Sequence, residues 1–344
     1  MSPPVDGLTP AQLEAFHRDG YLIIPGALSP QTVASLLAET NRLLDTLDLA
    51  THPLTRFRTG GDDGTDHVGD DYFLTSGDKI RFFLEEDAFS PQGALLHPPH
   101  RAVNKIGHCL HGLSPPFAAL TSPPPPSPPP PPSPPPPPSS TPHPAAVARA
   151  LGFAAPRVLQ SMVICKQPAI GGAVPAHQDS AFLYTDPPSA VGFWYALEDA
   201  TRANGCLSFL PGSHRWAGVE RRLVRRARRG AGGSGAVGDG DGDGGAEGTE
   251  MVVNEGGARF PRGEGYGEGL RGEGEGEGEY VLGEVEAGSL VLIHGNLLHK
   301  SERNLSQKGR IIYTFHVIEA GEGHEYDGRN WLQPPAEGFT RLYG

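Results

Sequence analysis

The chain has 344 residues, and its 36 Pro and 47 Gly make up about a quarter of it, roughly twice the usual share. The excess is local, with 16 of the prolines in residues 123–144 and 20 of the glycines in 230–278. The remainder has ordinary apolar content, enough for one sizeable core, which excludes a collagen and a wholly disordered chain.

No run approaches the roughly 18 apolar residues of a membrane span, and a net charge of -12 offers no general attraction for nucleic acid or anionic lipid. The first residues lack the basic-then-apolar order of a signal peptide, so the expected compartment is the cytoplasm. Cys109, Cys165 and Cys206 are odd in number and lack zinc spacing, which predicts free thiols.

In chain order, LTPAQLEAFHRDG at 8–20 predicts a helix. Thr9 serves as N-cap, Pro10 as first helical residue, Gln12 as the far side of a capping box and Gly20 as the stop. Tyr21 to Gly26 reads as a short strand. Ser29-Pro30 then opens a second helix with Val33, Leu36, Leu37, Leu43, Leu44 and Leu47 on one broad face.

The tract at 122–144 is too rich in proline for a sheet and predicts a polyproline II insertion, a ligand at most for an aromatic-grooved partner protein. From about residue 157 the pattern changes to short runs rich in β-branched and aromatic residues: VLQSMVICKQP, AVGFWYALED, CLSFLPGS, SLVLIHG and RIIYTFHVIE. Their spacing points to a sandwich or barrel. Within 221–279, a cluster of six arginines at 221–229 is followed by twelve acids between 239 and 279. That self-compensating composition predicts a second disordered insertion rather than a nucleic-acid surface.

Among 14 histidines, His177-Gln178-Asp179 stands out. In an extended segment, residues i and i+2 share a face, so an imidazole and a carboxylate meet at one point. Two of the three ligands of a two-His-one-carboxylate iron site are then in place, with His294 and His299 both available as the third. Arg310 lies eleven residues after His299, a distance suited to the next antiparallel strand, and its guanidinium fork suits the far carboxylate of a dicarboxylic acid.

Residues HQDSAFLYTDPPSAVGFWYALEDATRANGCLSFLPGSH and LVLIHGNLLHKSERNLS resemble the phytanoyl-CoA dioxygenase family. The resemblance is closer still to its branch of phytanoyl-CoA dioxygenase domain-containing proteins, and extends to FHRDGYLIIPGAL, SGDKIRFFLE, NKIGH, KQP and NWLQPPAEGF. It spans about residues 10–116, 145–220 and 281–343.

The resemblance implies a mainly β fold: a double-stranded β-helix, or cupin-like jelly roll, with N-terminal α-helices outside and two low-complexity insertions. It implies a single domain over 1–344. His177, Asp179 and His299 become the iron ligands, which selects His299 over His294. Arg310 and Ser301 would hold the distal carboxylate of 2-oxoglutarate, and Lys105, Met162, Gln178 and Trp194 would line the same co-substrate site.

The implied activity is Fe(II)- and 2-oxoglutarate-dependent hydroxylation of a small molecule, consuming O2 and releasing succinate and CO2, with ascorbate as a stimulant. Asp179 favours hydroxylation over halogenation, because halogenating relatives lack the carboxylate. The competing reading is a jelly-roll binding or scaffold protein that acts through its Pro-rich insertion, and a full set of iron ligands counts against it.

Overall fold

A computed structural model describes residues 7–57, 69–122, 142–226, 248–267 and 278–343. The helix Pro10–Asp19 forms as its caps dictate: Thr9 accepts from the Gln12 amide, Gln12 returns the bond, and Gly20 closes the end in the left-handed region at φ 81°. The strand Tyr21–Ile24 then pairs antiparallel with Leu290–His294, tying the N-terminal helices to the body of the protein. Ser29 caps the second helix, Pro30–Asp45, whose Val33, Leu36, Leu43 and Leu44 are buried.

The larger sheet begins at Tyr21–Ile24 and continues through Leu290–His294, Val191–Ala196, Arg310–Glu319, Pro156–Lys166, Val103–His108 and Ile80–Glu85. Arg56–Phe57 adds a parallel edge, and Thr340–Arg341 also pairs with Pro156–Lys166. A smaller sheet is ordered Val281–Gly283, Leu207–Phe209, His299–Ser301, Val174–His177. The strand runs predict a sandwich or barrel and the resemblance a jelly roll; the structure has that mainly β jelly-roll arrangement, with helices flanking the large sheet.

The strand Arg310–Glu319 shows how the core divides. Tyr313, Phe315 and Val317 join Leu36, Phe117 and Val147 in the cluster beneath the helices. Ile312 faces the other way and packs with Trp194, Leu207 and Phe209 between the sheets. Period-2 alternation therefore turns Arg310, Thr314 and His316 into the sandwich interior, beside the cavity described below. Both faces of this strand are covered, which is why its sequence runs almost continuously apolar.

Two expectations need correction. The segment 221–279 is not wholly a disordered insertion: Arg221–Arg225 and Thr249–Val253 form a hairpin, and residues 254–267 continue from it against the body. Arginine side chains anchor it. Arg222 pairs with Asp327, and Arg225 donates to the Leu74 and Trp331 carbonyls. Buried polar anchoring of this kind leaves no trace in composition. The Pro-rich insertion is likewise shorter than 122–144, because Pro144 opens the helix Pro144–Ala150 with His143 as its N-cap. His143 Nε2 also donates to the Ser122 carbonyl at 2.9 Å, which pins the two ends of the tract together. Residues 123–141, 227–247 and 268–277 lie outside the described residues.

Candidate active site

His177 ends the strand Val174–His177, Gln178 stays extended, and Asp179 opens a single 3-10 turn, Asp179–Ala181. His299 starts the adjacent strand His299–Ser301 and sits directly across from His177. The i, i+2 spacing and this register bring the three side chains to one point. His177 Nε2 and His299 Nε2 lie 3.6 and 3.7 Å from the same Asp179 Oδ1, and one ligand atom from each residue falls within 4.8 Å of the others.

Both imidazoles are held in one tautomer. His177 Nδ1 donates to the Pro175 carbonyl at 2.9 Å and His299 Nδ1 to the Leu297 carbonyl at 3.0 Å, so both Nε2 lone pairs point inward. Burial, with His177 beside it, pushes His299 down to about 4, so it is neutral and ligand-ready at pH 7. Burial alone would raise the Asp179 carboxyl. The neighbouring His299, His316 and His177 reverse this and hold it well below the ordinary carboxylate range.

His294 is elsewhere. Its Nδ1 accepts from the Asn296 amide, and its ring packs 4.8 Å from His214 and 5.9 Å from Tyr266. The structure thus separates two histidines that spacing alone leaves equivalent.

The three residues open onto a cavity of about 1310 Å³, larger than most small-molecule pockets. Arg310 is buried on one wall, its guanidinium 5.5 Å from the Trp194 ring and donating to the Gly205 carbonyl. Its Nε has no hydrogen-bond partner, and burial lowers it to about 10, which leaves it cationic at neutral pH. Ser301 Oγ accepts from Lys166 Nζ at 2.8 Å. Burial, then Arg310 nearby, brings Lys166 down to about 7.

Lys105 Nζ lies 3.2 Å over the Phe57 ring and 3.9 Å from Met162 Sδ, with burial lowering it to about 7. Gln178 lines the cavity too, but its amide donates to the Ala217 and Asn296 carbonyls and ties together the segments that follow Trp216 and His294. All nine site residues expected from the sequence therefore border one cavity. Metal-capable groups sit on the smaller sheet and its following turn; Arg310, Lys105, Met162 and Trp194 sit on the larger sheet.

The sequence profile of the family described as Phytanoyl-CoA dioxygenase (PhyH) matches residues 16–312. The chain belongs to the phytanoyl-CoA dioxygenase family. It is an oxidoreductase of the dioxygenase class. One relative, phytanoyl-CoA dioxygenase domain-containing protein 1 of Bos taurus, is 39% identical over 340 residues, covering 98% of this chain and 99% of the relative. A phytanoyl-CoA dioxygenase of Arabidopsis thaliana is 36% identical over 95% of this chain and 94% of its own.

Among solved structures, the non-heme alpha ketoglutarate dependent epimerase SnoN superposes with a TM-score of 0.53 at 18% identity, over 97% of this chain and 92% of its own. EctD from S. alaskensis also gives 0.53 at 18% identity, over 99% and 90%. At that identity the likeness speaks for the jelly-roll fold of this phytanoyl-CoA dioxygenase family member. No helix among its described residues is long and apolar enough to cross a membrane.

Sequence reasoning passes over three cavity residues. Lys166 stands in the Lys-Gln-Pro run and meets Ser301 only through the fold. His316 and Gln160 meet across the sheet beside Asp179. The even offset from Arg310 to His316 carries a signal for the second of these, since both must then face the same side of one strand.

Proposed function

We propose that this chain is an Fe(II)- and 2-oxoglutarate-dependent dioxygenase that hydroxylates a C–H bond of a small molecule. The observation that carries the reading is the pair of Nε2 lone pairs and the Asp179 carboxylate converging at the edge of a cavity whose far wall holds a buried, partly unpartnered Arg310. The donor set fits the metal: two neutral imidazoles and one carboxylate suit Fe(II) and leave positions for other ligands. A buried guanidinium lining the same cavity as Ser301 fits a carboxylate, a group that would satisfy Arg310 Nε.

His177, Asp179 and His299 would hold the iron, and Arg310 with Ser301 the distal carboxylate of 2-oxoglutarate. Bound iron and 2-oxoglutarate supply the oxidising chemistry, converting O2 and 2-oxoglutarate to succinate and CO2 as the substrate gains a hydroxyl. The chain supplies the rest. Pro175 and Leu297 carbonyls fix the imidazole tautomers, Lys166 aims the Ser301 hydroxyl, and Trp194, Met162 and Ile164 form a dry wall beside Arg310. Ascorbate would serve to keep the iron ferrous between turnovers. The substrate enters a cavity whose walls include Phe57, Phe73 and Trp331, a lining for an apolar or aromatic group. The catalytic reading needs nothing from the Pro-rich residues 123–141.

The test is succinate formation by the full chain supplied with Fe(II), O2 and 2-oxoglutarate, compared with His177→Ala and Asp179→Ala. Succinate from the parent and none from either variant is the expected result. Equal succinate from all three, or none from a parent that binds Fe(II), overturns the reading.

A further inference from the structure

Asp179 uses its two oxygens differently. Oδ1 faces His177 and His299, whereas Oδ2 lies 3.2 Å from His316 Nε2. A carboxylate only accepts, so His316 Nε2 carries the proton and donates it. The other ring nitrogen, Nδ1, is approached by Gln160 Nε2 at 3.4 Å, a donor that matches the same tautomer. Strand register builds this chain of contacts: Gln160 and Gly192 lie opposite His316 on its two sides. A Cβ built on Gly192 would come within 3.3 Å of Asp179 Oδ2 and 3.6 Å of the His316 ring, so a side chain there would crowd the contact and push Asp179 by a few tenths of an ångström. His316 is itself buried, and both its ring nitrogens have polar partners on the cavity side of the sheet.

We infer that His316 is a positioning residue that restricts Asp179 to ligation through Oδ1 alone, with Gln160 holding His316 in the donating tautomer. The inference rests on the metal-site reading above. Its consequence is that Asp179 cannot take a second coordination position with Oδ2. A position that two-oxygen ligation would fill stays open for co-substrate or O2. Outer partners of metal ligands commonly alter metal affinity 10–100-fold when removed.

The experiment titrates the metal-free full chain with Co(II) alone, following affinity by calorimetry and coordination by visible absorption. His316→Leu removes the donor; His316→Gln replaces it with an amide that reaches about as far as Nε2. The expected result is Co(II) binding some 10–100-fold weaker in His316→Leu, with a changed absorption envelope. His316→Gln should return both towards the parent values. Gln160→Leu should move them in the same direction as His316→Leu, by less.

Parent affinity and spectrum in a folded His316→Leu overturn the inference, as does a folded His316→Gln that restores neither. If His316→Leu does not fold, Gly192→Ala takes its place, since it crowds the contact and removes no polar group; an unchanged spectrum there overturns the inference equally. Asp179→Ala separates the two readings. Parent-like Co(II) binding by that variant means that the metal site itself is misassigned, whereas lost binding there with parent-like binding in His316→Leu means that only the role of His316 is wrong.

Discussion

At the scale of single residues, His299 and His294 make the sharpest contrast. Both are buried and five positions apart, but only His299 brings an inward Nε2 to Asp179, while His294 packs on His214 and Tyr266. His299→Ala should abolish tight Fe(II) binding and His294→Ala should keep it; the reverse pattern in a calorimetric titration would refute the assignment. Arg310→Ala should raise the KM for 2-oxoglutarate by an amount equivalent to on the order of 2–5 kcal/mol, since a buried carboxylate loses its charge-assisted partner. Arg310→Lys should recover part of this, because an ammonium forms no fork. An unchanged KM in Arg310→Ala would remove Arg310 from the co-substrate site. The His-x-Asp spacing and the offset to Arg310 were legible because period-2 geometry is local. Spacing alone left His299 and His294 equivalent, and only the family resemblance separated them, because the geometric reason is which residue the strand pairing carries back to His177. The even offset from Arg310 tells which face His316 takes, but its contact with Asp179 and that of Lys166 with Ser301 were not legible for the same reason: each partner comes from a segment distant in sequence.

Whole elements were legible where local chemistry writes them. The capping box at Thr9 and the cap at Ser29 mark helix starts that the structure reproduces to the residue. The hairpin of Arg221–Arg225 with Thr249–Val253 escaped notice because its second strand has one short apolar run, Met251-Val252-Val253, amid acids and glycines. Its stability comes from anchors rather than propensity. Arg222→Ala strands the partly buried Asp327 carboxylate and should cost about 1–3 kcal/mol, less than a fully buried pair because Asp327 keeps some solvent. The measurement is urea unfolding, together with faster proteolysis near Thr249; an unchanged midpoint and cleavage rate would show that the hairpin stands without this pair. Deletions must respect the same boundary. Replacing 123–141 or 227–247 with a short Gly/Ser linker should alter stability by about 1 kcal/mol or less, since loop closure varies only logarithmically with length. Removing all of 228–278 also takes Met251 and Phe260 from the cavity wall and should cost activity as well as stability. Equal succinate formation by the two kinds of deletion would contradict that division.

On the scale of the molecule, four buried histidines tie stability to pH. Burial brings His111 and His214 to about 4, and holds His108 and His294 well below the ordinary histidine value. Each is native in its neutral form, so the unfolded chain binds more protons below about pH 6.5. The stability they contribute is complete above 6.5 and is lost as pH falls towards 4, up to about 3 kcal/mol for His111 and for His214. The metal-free chain should therefore melt at a clearly lower temperature at pH 5 than at pH 7.5; equal melting temperatures would show that these histidines charge without opening the core.

The division of the site between the two sheets has a mechanical consequence. Metal-capable groups belong to one leaf of the sandwich, and Arg310, Lys105, Met162 and Trp194 to the other. On the proposed function, a metal ion alone would brace only its own leaf, whereas a metal ion and 2-oxoglutarate bound together would form a rivet through both. Resistance to shear between the leaves should then depend on the pair. Adding 2-oxoglutarate to the metal-loaded chain should raise the melting temperature by more than it does in the metal-free chain, and the metal should tighten 2-oxoglutarate binding by the same factor that 2-oxoglutarate tightens the metal's. Simply additive shifts would mean that the leaves are already locked by the strands and helices between them, and that the cavity is a rigid mould rather than a joint closed by its own ligands.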